Sequence, residues 1–250
     1  MTTTQFSPGN YRYMPAVWQY SGGVAADPGY RLERVAFRRP LPLREGFARI
    51  AEIIVAAGRP LTAFAACELR SPVPFTEDGF KAFNEIYVGT LTQWGIFDPA
   101  SRANPVARSN VCPLIGPPGT PSFHAFAFTM PATDTIPTFC IAGSGEAPEG
   151  RGNYQDHIVA RGDLSADGLR RKAVWVLGEM ERRMGVFGFG WSDATAAAAY
   201  TVHDLHPFLA DEIVRRGAAH HGLTWHYARP PVVGLEYEMD CRCVSNERVV

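Results

Sequence analysis

Lysine is almost missing from this chain. Lys81 and Lys172 are the only two, and arginine supplies the remaining basic side chains. A Schiff-base mechanism therefore has two candidate amines. One of them, Lys172, follows Arg170 and Arg171 in a helical pattern and reads as part of a solvated face. Charge of one sign is also lacking: the net charge is −1 and the pI about 6.7. No basic field exists to attract nucleic acid or anionic lipid, so neither is an expected partner. No apolar run approaches the roughly 20 residues that span a bilayer. Met1 to Gly9 has neither the charged start nor the apolar stretch of a secretion signal. The expected compartment is the cytoplasm.

Cysteines are few, odd in number and widely spaced: Cys67, Cys112, Cys140, Cys241 and Cys243. That pattern excludes a disulfide framework. Cys241 and Cys243 would share a strand face and could reach one metal. A second ligand pair at short spacing is missing, so buried thiols are the plainer reading. His220, His221 and His226 cluster loosely, with His203 and His206 further back, but without metal-hydrolase spacing. No metal is expected. Gly143-Ser144-Gly145-Glu146 is too short for a phosphate loop or a dinucleotide fingerprint. It is also not a nucleophile elbow, because Ala142 breaks that pattern.

What is present suits a globular protein. Of the 250 residues, 46% are hydrophobic and 20% charged, enough to bury a sizeable core. From Tyr11 to Phe37 the chain is aromatic-rich, with turn signals at Gly22-Gly23 and Asp27-Pro28-Gly29. Arg44 to Ala57 has helical spacing at Phe47, Ile50, Ala51, Ile54 and Val55, ended by Gly58. Phe64 to Leu69 reads as a strand. Glu77 to Trp94 reads as a helix burying Phe80, Phe83, Ile86, Tyr87 and Leu91. Ala107 to Cys112 and Phe123 to Phe128 read as strands.

The order then recurs. Thr138 to Ala142 is an expected strand, and Gly143 to Gly152 a glycine-rich turn. Ala166 to Met184 is an expected helix with Leu169, Ala173, Val174, Leu177 and Met180 inward. A strand (Ala194 to Val202), a helix (Leu205 to Arg216) and a strand (Leu223 to Ala228) follow. Val233 to Val244 reads as one long closing strand. A repeat of half the chain points to a duplicated domain rather than a solenoid. The expected units are 1–130 and 131–250, with a linker near Thr129 to Pro137. The expected class is α+β, each unit a mainly antiparallel sheet with two helices on one face.

Several short runs resemble the RidA/YjgF family of enamine and imine deaminases. Phe139 to Pro148 is similar to its strand ending in Ser-Gly-Gln-x-Pro. Arg161-Gly162-Asp163 is similar to the lead into its first helix, and Asp193 to Asp204 to its strand ending near Thr-Asp. Val233 to Glu238 is similar to its closing Val-x-Ile-Glu-Ile-Glu strand. In the first half, Phe83-Asn84-Glu85-Ile86-Tyr87 is similar to its Asn-Glu-x-Tyr helix. Ala107-Arg108-Ser109 is similar to its Ala-Arg-Ser/Thr strand. The resemblance covers residues 11 to 244.

It implies two tandem chorismate-mutase-like units and a homo-oligomer, a trimer by preference, with active sites at seams between units. It also implies an arginine that binds a substrate carboxylate, a closing-strand glutamate that positions water, and polar contacts from the Ser-Gly turn. The halves depart from the pattern in opposite ways. The first keeps Arg108 but has His124 at the glutamate position. The second keeps Ser144 and Glu236 but has Gly222, Leu223 and Thr224 where the arginine belongs.

Each candidate residue has a chemical and a bland reading. Arg108 would hold a carboxylate through a charged, bidentate guanidinium; its bland reading is a surface ion pair. Glu236 and His124 would move protons and water; a strand-edge carboxylate and a sheet-surface imidazole are the bland alternatives. Two like charges at Glu236 and Glu238 would raise one proton affinity. Ser144, Gly145 and Glu146 would touch the ligand. Asn110 and Cys112 alternate with Arg108 along one strand face, and Asn84 lies in the helix motif. Tyr11, Tyr13, Trp18 and Tyr20 together could line a pocket for a flat substrate, although such an aromatic set is more often core. The expected activity is hydrolytic deamination of an imine, enamine or 2-aminomuconate-like small carboxylate. No cofactor is expected, since a protonated imine is already electrophilic. A chorismatase-like hydrolase or lyase and a non-catalytic ligand binder are the alternatives.

Overall fold

The structure is a computed structural model that describes residues 2–133, 136–151 and 154–250. Asp134 and Thr135 of the expected linker, and Gly152 of the expected turn, lie outside the described residues.

The strands are β1 (Thr4–Phe6), β2 (Tyr11–Met14), β3 (Gly23–Ala26), β4 (Tyr30–Pro42), β5 (Phe64–Arg70), β6 (Ala107–Pro113) and β7 (Ser122–Pro131). They continue with β8 (Phe139–Gly145), β9 (Ala196–Tyr200), β10 (Leu223–His226), β11 (Ala228–Arg229), β12 (Glu238–Cys243) and β13 (Asn246–Val249). The helices are α1 (Leu43–Ala56), α2 (Glu77–Gln93), α3 (Ala166–Phe187) and α4 (His206–Phe208), the last continued by a π-turn over Leu209–Val214.

Local chemistry sets the helix ends. Thr76 and Ser165 accept the backbone N–H of Gly79 and Gly168, capping α2 and α3. Gly188 ends α3 at φ 84°, a left-handed position that glycine adopts without Cβ strain. The inward faces of α1 and α2 keep Phe47, Ile50, Ile54, Phe83, Tyr87 and Leu91 but differ from the expected ones at their margins. Ile53 and Val88 are buried, whereas Val55 and Ile86 are exposed. On α3, Val176 rather than Val174 packs inward.

One sheet has the order β1-β2-β3-β8-β12-β9-β10 and the other β11-β6-β5-β7-β4-β13. Within them, β4-β7-β5-β6 and β8-β12-β9-β10 share one pattern. The inner return strand is antiparallel to both neighbours, and the last two strands are parallel. Sheet membership does not follow a cut at 130/131. The N-terminal strands β1 to β3 pair into the sheet of β8, while β11 and β13 join the sheet of β6 and β4. Backbone N–H and C=O groups at an edge strand need partners, and the chain ends supply them across the halves.

The sheets stack with their helices outside. One core lies under α3 and another under α1 and α2. Between the sheets lies an aromatic and small-residue layer that includes Tyr11, Tyr13, Ala66, Ala107, Ala127, Cys140 and Ala142. Polar groups share this layer: Arg34 donates to both oxygens of Glu68, and Tyr200 donates to Asp240. No helix among the described residues is long and apolar enough to cross a membrane.

Two readings of the second half change. The glycine-rich turn starts later than expected, because β8 runs through Gly143, Ser144 and Gly145. The closing strand also starts later, at Glu238. Gly234 sits at φ 94°, and the N–H groups of Glu236 and Tyr237 are captured by the Glu146 carboxylate instead of a strand partner.

That carboxylate also pairs with Lys172 Nζ at 3.2 Å, and both side chains are fully buried. The ammonium donates in addition to the carbonyl of Val159 at 2.8 Å. Lys172 is thus a buried partner rather than a solvated face. Removing one member of such a pair leaves an uncompensated buried charge. Lys172→Met is expected to cost about 3 kcal/mol or more of unfolding free energy, read from urea denaturation midpoints.

Candidate active site

A cavity lies where β6 of one sheet faces β8 and the start of β12 of the other. Its volume is about 430 Å³. It lies within one chain, and both halves contribute walls.

Arg108 enters from β6. It is 3% exposed, and its guanidinium sits among the rings of Tyr20, Phe80, Phe83 and Tyr87 at 4.7–5.7 Å. Each ring face attracts the cation. Its Nη1 and Nη2 have no hydrogen-bond partner among the described residues. A buried guanidinium with two idle nitrogens is costly unless an acceptor arrives. The rings hold the fork flat and leave those nitrogens for a planar anion.

Asn110 follows two residues along, on the same face of β6. Its Oδ1 accepts from Ser71 Oγ at 2.9 Å; the residue lines the cavity, and its buried Nδ2 has no partner among the described residues. From the other sheet comes Glu238, the first residue of β12. Burial first, then the nearby charges of Asp240 and Glu146, push its carboxyl well above the usual range. The fold thus favours the protonated form of this group more than water does. Space for it exists because residue 143 is glycine: a Cβ there would stand 2.1 Å from Glu238 Oε1. Arg183, buried under the strand, donates from Nη1 to the carbonyl oxygens of Ala142 and Gly143 and fixes this wall.

The expected residues divide accordingly. Arg108, Asn110 and Gly145 line the cavity. Glu236 does not. Its carboxylate binds His203 Nε2 and Arg229 Nη1, both at 2.7 Å. Glu238, two residues on, takes its place, because the chain joins β12 only there. His124 also lies elsewhere, beside Arg70 on the far side of the sheet interface. Burial, then Arg70, lowers its pKa to about 4, so the imidazole is neutral.

Ser144 alternates away from Gly143 and Gly145, and its Oγ donates to the carbonyl of Gly145. Glu146 is the structural clasp described above. Asn84 donates to the Phe80 carbonyl within α2 and is not at the wall. Cys112 is buried, and its thiol is pushed up to about 12 by burial and by Glu238, so no thiolate is available. Of the aromatics, Trp18 and Tyr20 line the cavity; Tyr11 and Tyr13 are core.

Sequence reasoning missed Glu77, Glu149, Arg151 and Tyr154 in the wall. They sit on a helix start and a loop, without a periodic signal. Glu238 carried one signal, its place in the Glu-x-Glu pair. No group of three or more His, Cys, Asp or Glu side chains among the described residues is placed to hold a metal ion. Cys241 and Cys243 are buried free thiols.

The chain is 52% identical over 247 residues to a 2-amino-5-chloromuconate deaminase of Comamonas testosteroni, covering 98% of each protein. Its fold is similar to a crystal structure of chorismatase, with a TM-score of 0.53 at 14% identity over 89% of this chain and 77% of that one. The model of the family described as 2-aminomuconate deaminase CnbZ matches residues 3–248, and the chain belongs to that family.

Proposed function

We propose that the cavity hydrolytically deaminates a 2-aminomuconate-type substrate, a conjugated enamine that carries a carboxylate on the reacting carbon. The observation that carries this reading is the buried Arg108 fork, which lines the cavity and has two nitrogens without a partner among the described residues, together with Glu238 in the same wall, whose proton affinity burial raises. Family membership and the relative's activity support it.

Arg108 binds the carboxylate next to the amino carbon, and Asn110 Nδ2 supplies a further donor. Glu238 gives its proton to the enamine carbon, which turns the C–N bond into an iminium. Its carboxylate then accepts a proton from water as the oxygen adds to the iminium carbon. The resulting carbinolamine takes that proton on nitrogen; its hydroxyl gives its own proton back to the Glu238 carboxylate as the C=O bond forms, the C–N bond breaks, and ammonia leaves. The product is the 2-oxo acid, or its enol tautomer. One water is consumed and one ammonia released, and Glu238 ends protonated as it began. The two sheets, related by a shared strand pattern, fit a duplicated ancestral unit in which each half kept one part of the site.

The test is direct. Purified protein with 2-aminomuconate is expected to release one ammonia per substrate consumed, as the diene absorbance falls, without added metal or cofactor. Absence of ammonia release with both 2-aminomuconate and its 5-chloro analogue defeats the proposal.

A further inference from the structure

We infer that Arg151 forms a second carboxylate subsite at the cavity mouth, which makes the site selective for dicarboxylates over monocarboxylates of the same skeleton. This rests on the deaminase reading for the identity of the substrate, but on separate residues.

Two arginines line the cavity and they differ in setting. Arg108 is buried at the ring cluster, whereas Arg151 is exposed on the loop after β8. Among the described residues, Arg151 has no hydrogen-bond or ion-pair partner. Its position is nonetheless fixed by what precedes it. Glu149 is tied to the buried Arg183 at 3.0 Å. Gly150 then turns the chain at φ 71°, packed toward Val17.

The acids of the wall have partners of their own: Glu149 pairs with Arg183, and Glu77 accepts the N–H of Tyr154 at 2.8 Å, while burial raises the proton affinity of Glu238. With an anion on Arg108, Arg151 is the remaining cation in the lining. The same lining carries an apolar set, Trp18, Phe80, Val232 and Leu235. A rigid diene with a carboxylate at each end matches that set of two cations and an apolar lining. Exposed at the cavity, Arg151 would add affinity and selectivity rather than chemistry.

The probes are muconate and sorbate, which share a six-carbon diene and differ in the second carboxylate. Calorimetric titration of wild type and Arg151→Gln with each separates subsite from scaffold. Muconate is expected to bind about ten- to a hundred-fold more weakly to the variant, as for loss of a charged hydrogen bond. Sorbate affinity should be unchanged, and Arg151→Lys should recover part of the loss. Raising salt should narrow the gap, since an exposed pair is screened. Equal loss for both probes, loss for neither, or no muconate binding to wild type overturns the inference. Ammonia release by wild type reports on the deaminase reading independently of these outcomes.

Discussion

Arg108→Ala is expected to lower kcat/KM by about 30-fold to several thousand-fold, the 2–5 kcal/mol typical of truncating one partner of a buried charged pair. The loss should fall on substrate affinity first, with a further loss in kcat if the carboxylate also orients the reacting carbon. Arg108→Lys should not restore it. A lysine ammonium is a point charge, and only a planar fork stacks among Tyr20, Phe80, Phe83 and Tyr87 while presenting two nitrogens side by side.

A second readout separates function from fold. The ligand-free protein carries a buried cation whose Nη1 and Nη2 are unpaired. Replacement by an apolar side chain of similar reach removes that cost. Arg108→Met is therefore expected to unfold at equal or higher urea concentration than wild type while losing activity. Muconate should stabilise wild type and leave Arg108→Met unmoved, because a ligand stabilises only the state that binds it. A strongly destabilised Arg108→Met with retained activity would show that the guanidinium serves packing.

Glu238→Gln should reduce kcat by about a hundred- to ten-thousand-fold, the range of general acid–base contributions. The amide keeps the shape of the acid but cannot give and retake a proton. The pH dependence carries the sign. Burial, Asp240 and Glu146 raise the Glu238 pKa in the fold. The proton-donating form then persists to higher pH than for an ordinary carboxyl, and activity falls as pH rises through that raised value. The residual rate of Glu238→Gln should lack this limb.

Stability follows the same linkage. Because the folded pKa is raised, folding favours the protonated acid. That contribution is complete below the ordinary carboxylate range and is lost as pH rises through the folded value. Glu238→Gln should not show this loss, so its urea midpoint relative to wild type should improve from pH 5 to pH 9. A rate profile unchanged by the substitution would assign the proton transfer to another group.

The cavity chemistry is partly legible in the amino-acid order. A short motif locates Arg108, and strand alternation carries Asn110 with it, because both depend only on neighbours within one strand. The motif of the closing strand places the glutamate two residues too early. Alternation in Val233 to Val244 is a property of side chains, but strand pairing is a property of backbone partners. Here Glu146, ninety residues away, captures the N–H groups of Glu236 and Tyr237. The same distance hides Lys172, whose neighbours in sequence are exposed arginines and whose partner in space is Glu146.

By itself, then, the sequence determined most of the helices and strands, their recurring order and the place of Arg108 on its strand. Those follow from side-chain periodicity, turn residues and a local motif. Only the tertiary structure decided that the N-terminal strands complete the sheet of the second half, that Glu238 rather than Glu236 meets Arg108 in one cavity, and that Arg151 stands at its mouth. The physical reason is that edge strands and buried carboxylates take whichever partner the fold brings to them, and that choice is made across the chain rather than along it.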